Sequence, residues 1–221
     1  TGVVEGSVGS ERIICMLNVV DDTLVADEKG IYSLEKFLIA RRLMYWQVYL
    51  HKTVLSAEQM LKRIIKRAKF INASCNEPLN SFINLPIGKV TLEQFCSIDD
   101  YDVMMAIKNW CHHPDKVLSV LCNGIIDRKL LKVKYVSEPV EELAVYQKIK
   151  EVEERLTISE EEAKWLVFTG EATSSTYNFE HEHIYILFKD GSIKDISEVD
   201  DALINENLRG KVKKYYICYL R

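Results

Sequence analysis

Nowhere in this sequence is there an apolar run long enough to span a bilayer, so no membrane-crossing helix is expected. Gly2, Gly6 and Gly9 punctuate an opening loop, but the Gly-Lys-Ser/Thr ending that makes a phosphate-binding P-loop is missing. The six cysteines, Cys15, Cys75, Cys96, Cys111, Cys122 and Cys218, include no CxxC pair and no close zinc spacing. Reduced, mostly buried thiols in a cytoplasmic protein are the expectation. Positive charge is not in excess either. A formal net charge of −4 offers no global attraction to nucleic acid or to an acidic membrane, so any polyanion site has to be local. No internal repeat or low-complexity tract is visible. No serine or cysteine stands with a recognisable base and orienter, which leaves nucleophilic catalysis without support.

What the chain does have is material for a core. Its 221 residues are 48% hydrophobic, compatible with one domain or two. Ser10-Glu-Arg opens a short helix expected to end near Asn18, and Val19-Val20, Asp21-Asp22 and Thr23-Leu24-Val25 read as a hairpin. Ser33 is a candidate cap for a helix continuing to Lys69 with a break near Lys52-Thr53-Val54. Residues 72–89 suggest a mobile connection with one short helix, followed by helices over 99–111 and 115–122 with Gly124 close to the end of the second. A strand over 130–136, a charged helix after Pro139 to about Leu156, an acidic helix opening at Ser159, and strands over 184–188 and 215–220 complete the pattern. The expected fold class is mainly α with a C-terminal α+β subdomain: a helical part over 1–125, then helices against a small antiparallel sheet over 126–221.

The densest stretch is Phe37-Leu-Ile-Ala-Arg-Arg-Leu-Met-Tyr-Trp-Gln-Val-Tyr-Leu-His-Lys52. Arg41, Tyr45, Tyr49 and Lys52 recur at helical spacing and so stack on one face. Arg41 to Tyr49 spans about 12 Å of axial rise, near the length of a nucleoside triphosphate. A cation at one end and aromatic surface at the other suit phosphate and sugar. The plainer alternative has the cations solvated and Leu38, Met44, Trp46, Val48 and Leu55 in the core. Lys62, Arg63, Lys66, Arg67 and Lys69 read as a solvated stripe beside apolar Leu61, Ile64, Ile65 and Ala68. His112-His113-Pro-Asp115 reads as a helix end followed by a Pro-started helix. His181 and His183 flank Glu182 in the geometry of a two-His half-site but lack a third ligand nearby, so an exposed strand start is expected and no metal site is assigned.

The 37–52 stretch resembles the helix that closes the active site of HD-domain phosphohydrolases, in particular bacterial relatives of the deoxynucleoside triphosphate triphosphohydrolases, a group that includes the animal enzyme joining a sterile alpha motif to an HD domain. Thr1-Gly-Val-Val-Glu-Gly-Ser-Val-Gly9, Asp99-Asp-Tyr-Asp, Ile107-Lys-Asn-Trp, His113-Pro-Asp115 and Asp127-Arg-Lys-Leu-Leu-Lys-Val133 match in the same order. The family's metal ligands, a His, an adjacent His-Asp pair and a distant Asp, lie upstream of the Thr-Gly-Val segment, and no adjacent His-Asp pair occurs here. The resemblance therefore implies the carboxy-terminal part of a longer enzyme without its HD segment. Such a part is inactive alone, with no catalytic residue and no cofactor of its own, while a divalent metal (Mn, Mg, Fe or Zn) is expected in the complete protein.

By the same resemblance Arg41 contacts the substrate triphosphate and Tyr49 packs on the deoxyribose with Tyr45 beside it, while Lys52, Arg128 and Lys132 hold an activating nucleotide between subunits of a homo-oligomer. The implied reaction is metal-assisted attack of water on the α-phosphorus of a dNTP, releasing deoxynucleoside and tripolyphosphate. Two alternatives stand beside it: a nucleotide-sensing and oligomerisation module, and an HD phosphohydrolase acting on another phosphorylated nucleotide. Neither nucleic acid nor a membrane is an expected partner.

Overall fold

Asp21 and Asp22 hold φ angles of 47° and 59°, the left-handed pair that a two-residue hairpin loop requires. They join β1 (Leu17–Val20) to β2 (Thr23–Asp27), antiparallel, with Val20 opposite Thr23 and Leu17 opposite Ala26. The computed structural model describes residues 7–174, 183–199 and 212–221. Ahead of the hairpin, α1 (Ser10–Cys15) stops short of Asn18, because Leu17 and Asn18 are taken into the ladder. Asp27 then accepts a hydrogen bond from the Lys29 N–H and sets a 3-10 turn that runs straight into α2 (Ile31–Met44). Ser33, expected as the cap, therefore lies inside the helix. The helix widens over Tyr45–Tyr49 and breaks at Leu50 and His51, where α3 (Lys52–Phe70) begins.

After α4 (Leu79–Asn84), reciprocal capping boxes Thr91/Gln94 and Asp99/Asp102 start α5 (Leu92–Cys96) and α6 (Asp100–Trp110). Asp115 caps α7 (Lys116–Ile126) by accepting from the Leu118 N–H, so Pro114 precedes the cap and does not start the helix. β3 (Lys132–Val136) leads to α8 (Glu142–Leu156), which ends on left-handed Thr157, and a Ser159/Glu162 box opens α9 (Glu160–Ala163). The remaining strands are β4 (Val167–Ser174), β5 (Tyr185–Leu187), β6 (Ile193–Asp195) and β7 (Val212–Tyr219). Mainly α with small sheets, the fold class is the one expected, but β4 and β6 are additional strands. Among the described residues no helix is long and apolar enough to cross a membrane.

The chain forms two compact units, each discontinuous in sequence: residues 1–51 with 172–214, and 52–171 with 215–221. The expected break after residue 125 falls inside the second unit. In the first unit the strand order is β1-β2-β5-β6, with β2 and β5 parallel (Val25 opposite Tyr185) and the other pairs antiparallel. Two of its three pairings are antiparallel, in keeping with the mainly antiparallel sheet expected, and β2–β5 is the parallel one. Leu34 and Leu38 of α2 pack on Ala26, Ile186 and Ile196. Each buried Leu or Ile contributes about 1.5–3 kcal/mol.

In the second unit α3 packs along α7 and against β3, and α8 packs against α9. Leu55, Met60, Ile64 and Ala68 of α3 are buried, as are Val117, Leu118, Leu121 and Cys122 of α7. The helices approach closely at Gly124, where a Cβ would lie 2.6 Å from Met60 Cε. The second sheet runs β3-β7-β4, with Lys132 opposite Tyr219 and Val136 opposite Tyr215.

The basic stripe of α3 is only partly solvated, which corrects the expectation for two of its members. Arg67 is buried, and its guanidinium forks onto Asp115, Nε to Oδ1 at 3.1 Å and Nη2 to Oδ2 at 2.6 Å, with Glu162 at 3.7 Å. Arg63 lies 3.6 Å over the Phe168 ring and donates to the Trp165 carbonyl at 3.2 Å. Lys62, Lys66 and Lys69 remain exposed. The thiols divide as well: Cys111, Cys122 and Cys218 are buried, Cys75 is intermediate, and Cys15 and Cys96 are exposed. Burial pushes Cys122 and Cys218 up to about 12.

Candidate functional site

The wide turn at the end of α2 is a π-type segment: the Leu50 N–H donates to the Tyr45 carbonyl, five residues back, at 2.7 Å. Such turns insert one extra residue into a helix and are frequent at functional sites. Here the turn brings the Tyr45 and Tyr49 rings to 5.4 Å between centroids, tilted at 59°, and Arg41 Cζ lies 5.9 Å from the Tyr45 ring. On another side of the same turn Lys214 Nζ sits 4.3 Å over the Trp46 ring.

Arg41, Tyr45 and Tyr49 together line a cavity of about 360 Å³ with Val8, Phe37, Ala40 and Met44. Tyr49 is 55% exposed, so the cavity opens on its side. Of the side chains that the plainer reading assigns to the core, Leu38 and Leu55 are buried while Met44, Trp46 and Val48 are intermediate. Chemically, the cavity presents a guanidinium fork next to an aromatic wall.

Lys52 does not line this cavity. The break at Leu50 and His51 divides the stripe, and Lys52 opens α3 in the second unit. There Lys52, Arg128 and Lys132 line a second cavity of about 750 Å³, with Lys129, Arg221, Thr53, Ser56, Leu130, Leu131, Val133 and Leu220. The turn between α7 and β3 is pinned to α3 by two contacts: the Ser56 hydroxyl donates to the Leu131 carbonyl at 2.7 Å, and the Leu131 N–H reaches Met60 Sδ at 3.3 Å. Lys129 and Arg221 belong to this cluster without having been singled out by motif; their signal is adjacency, one next to Arg128 and one at the foot of a tyrosine-rich strand.

Arg128 holds φ of 58° just past the last turn of α7, a left-handed position that favours glycine. A non-glycine residue there is strained relative to glycine. Arg128→Gly is therefore expected to gain about 0.5–1 kcal/mol, about 1–4 °C in Tm. Thermal unfolding checks it, and a fall in Tm would show that the Arg128 side chain makes native contacts worth more than the strain.

Among the described residues no three His, Cys, Asp or Glu side chains cluster as metal ligands. His183 stands just before β5, its Nδ1 3.2 Å from Asp195 Oδ2 and its ring stacked on Tyr185 at 5.6 Å. His181 and the first six residues of the Thr-Gly-Val motif lie outside the described residues. His113 accepts a hydrogen bond from the Asp115 N–H at 3.0 Å, a turn contact between helices. Burial pushes the Asp115 carboxyl up, but the Arg67 fork, the Leu118 N–H and His113 outweigh it and hold the group below its ordinary value.

The model of the family described as HD associated region matches residues 8–164. Uncharacterized protein YwfO of Bacillus subtilis (strain 168) is 29% identical over 231 residues, a match covering 99% of this chain and 52% of that protein. The crystal structure of a phosphohydrolase from Bacteroides thetaiotaomicron superposes with a TM-score of 0.88 at 43% identity, over 100% of this chain and 58% of that one. A hypothetical protein from Aquifex aeolicus gives a TM-score of 0.61 at 26% identity, over 100% of this chain and 50% of that one. The chain thus spans little more than half the length of the relatives it matches.

Proposed function

This chain belongs to the HD associated region family, and on that footing we propose that it forms the substrate-facing part of a phosphohydrolase that cleaves deoxynucleoside triphosphates. The observation that supports this reading is the convergence of Arg41, Tyr45 and Tyr49 on one cavity, a phosphate-binding fork followed by two tyrosine rings. The fork offers parallel charge-assisted hydrogen bonds to phosphate oxygens. The rings pack on the sugar and leave little room for a 2′-hydroxyl, which favours the deoxy form. Water adds to the α-phosphorus, the bond to the 5′-oxygen breaks, and deoxynucleoside and tripolyphosphate leave. The phosphohydrolase from Bacteroides thetaiotaomicron supports the reaction class.

The divalent metal that this reading requires has no fitting ligand cluster among the described residues. Its ligands would come from an HD segment outside these 221 residues. What this chain supplies is binding and orientation, which can be worth several kcal/mol of barrier when reacting groups are held in line.

A second reading is favoured by the second cavity: Lys52, Arg128 and Lys132 hold an activating nucleotide in a sensing module of a homo-oligomer. The test is tripolyphosphate release from each dNTP and rNTP, with manganese or magnesium, by a protein carrying the HD segment ahead of this chain. Release from dNTPs by that protein, and none by these 221 residues alone, is expected. No release from any nucleotide mixture would remove the proposed activity and leave the sensing module or another phosphohydrolase specificity.

A further inference from the structure

We propose that the contact between Lys214 and Trp46 is a latch that fixes the wide turn after α2, which makes these two the positioning residues for sugar discrimination at Tyr49; the sugar role rests on the reading of the tyrosine-walled cavity as a deoxynucleotide site. Lys214, near the start of β7, carries its Nζ 4.3 Å over the Trp46 ring. The other described lysine–ring contacts run from 5.1 to 5.9 Å. An indole face is the best aromatic partner for an ammonium group. Both residues belong to the first unit, and neither lines the cavity of Arg41, Tyr45 and Tyr49. Whatever they do for that cavity, they do through the backbone of the turn.

Consecutive side chains leave a helix on different sides, so Trp46 is gripped from a side that Tyr45 and Tyr49 do not use. Wide turns of this kind are rare and occur mostly as single turns inside α-helices. This one lies at a helix end instead: α2 supports its first residue, while Tyr49 is its last, 55% exposed, with the break at Leu50 and His51 directly after it. Lys214 supplies a hold from a separate strand. With Trp46 pinned in the middle of the segment, the segment does not rotate about its axis, and the Tyr49 ring stays tilted against Tyr45 at 5.4 Å. A wall that excludes a single hydroxyl has to be placed to within about 0.5 Å. A turn free to rotate still offers Arg41 to phosphates, because Arg41 stands on α2 ahead of the segment, but it no longer tells deoxyribose from ribose.

The experiment pairs two measurements on Lys214→Met, which keeps the stem and removes the charge, Lys214→Arg, which keeps a cation, and Trp46→Phe, which keeps a weaker ring. In the 221-residue protein, amide hydrogen exchange over residues 45–50 is compared with exchange at Leu38, buried on α2 of the same unit. Lys214→Met should speed exchange in the turn about two- to fivefold with Leu38 unchanged, Trp46→Phe should speed it less, and Lys214→Arg should keep the native rate. In the longer protein carrying the HD segment, Lys214→Met should lower the dNTP-to-rNTP ratio of kcat/KM by about the same factor without slowing rNTP hydrolysis, and Lys214→Arg should restore the ratio. General destabilisation, which would overturn the proposal, slows both sugar classes alike and speeds exchange at Leu38 too. Unchanged exchange over the turn in both Lys214→Met and Trp46→Phe overturns the latch. Faster exchange with an unchanged ratio, in a protein whose ratio does respond to Tyr49→Ala, overturns the positioning role and leaves the sugar site standing. A longer protein that hydrolyses no nucleotide removes the reading on which the sugar role rests, and the exchange rates still decide the latch.

Discussion

Replacing Arg67 with alanine is expected to destabilise the second unit by about 3–5 kcal/mol, the usual loss when one member of a buried ion pair is removed. Most of that cost is not the missing attraction. Asp115 is left with a charged, 14% exposed side chain and only a backbone donor and a histidine for company. The pH dependence identifies the cause. In the native protein the Asp115 carboxyl sits below its ordinary value, so its contribution is present above the unfolded pKa and is lost as pH falls through the folded one. In Arg67→Ala the fork is gone and burial dominates, which raises the folded pKa above the unfolded value. The sign then reverses: the variant is least disadvantaged in acid and loses stability as pH rises. Urea unfolding at about pH 7 and about pH 4 should show the gap to the native protein shrinking in acid. Adding Asp115→Asn should recover part of the loss at neutral pH, since asparagine still caps α7 and carries no charge. An equal gap at both pH values would assign the effect to lost packing of Arg67 against Phe70 and Trp165, which lie 5.4 and 5.3 Å from its guanidinium carbon.

Arg67 also shows where sequence reading stops. Its spacing beside Lys62 and Lys66 is that of a solvated face, and nothing local reveals Asp115, 48 positions away, or the Trp165 and Phe168 rings that receive Arg67 and Arg63. Elements whose cause is local were legible: the hairpin around the paired aspartates, and the helices that begin near Asp99, Asp115 and Ser159, though the capping role of Asp115 was not. Elements whose cause is distant were not. β6 is a short strand paired with β5, and β4 has an order set by β7 from the far end of the chain. The units interleave for the same reason, since pairing β2 with β5 carries residues after 171 back to the first unit. In the candidate site, the four-residue spacing of Arg41, Tyr45 and Tyr49 was visible, but a wide turn has no signature distinguishing it from an α turn. That undetected turn and the break after it separate Lys52 from the tyrosines.

Arg41→Ala and Tyr49→Ala should damage dNTP hydrolysis by the longer protein in different ways, and the difference tests the assignment of phosphate and sugar. A hydrogen bond to a charged group is worth about 1.5–3 kcal/mol, so loss of the guanidinium should lower kcat/KM by about 10- to 150-fold. Because phosphates are common to every substrate, that loss should be the same for dNTPs and rNTPs, and Arg41→Lys should restore only part of it, the charge without the fork. Tyr49 lies at the open side of the cavity with its ring tilted against Tyr45. Removing it should cost the deoxy substrates apolar contact while opening space for a 2′-hydroxyl, so the dNTP-to-rNTP ratio of kcat/KM should fall even where the absolute rate drops. Tyr49→Phe keeps the wall and should keep the ratio. If Arg41→Ala shifts the ratio and Tyr49→Ala does not, the phosphate and sugar ends of the cavity are reversed. If neither variant changes hydrolysis, the cavity of about 360 Å³ is not the substrate site, and the tyrosine pair is packing that stabilises a wide helical turn.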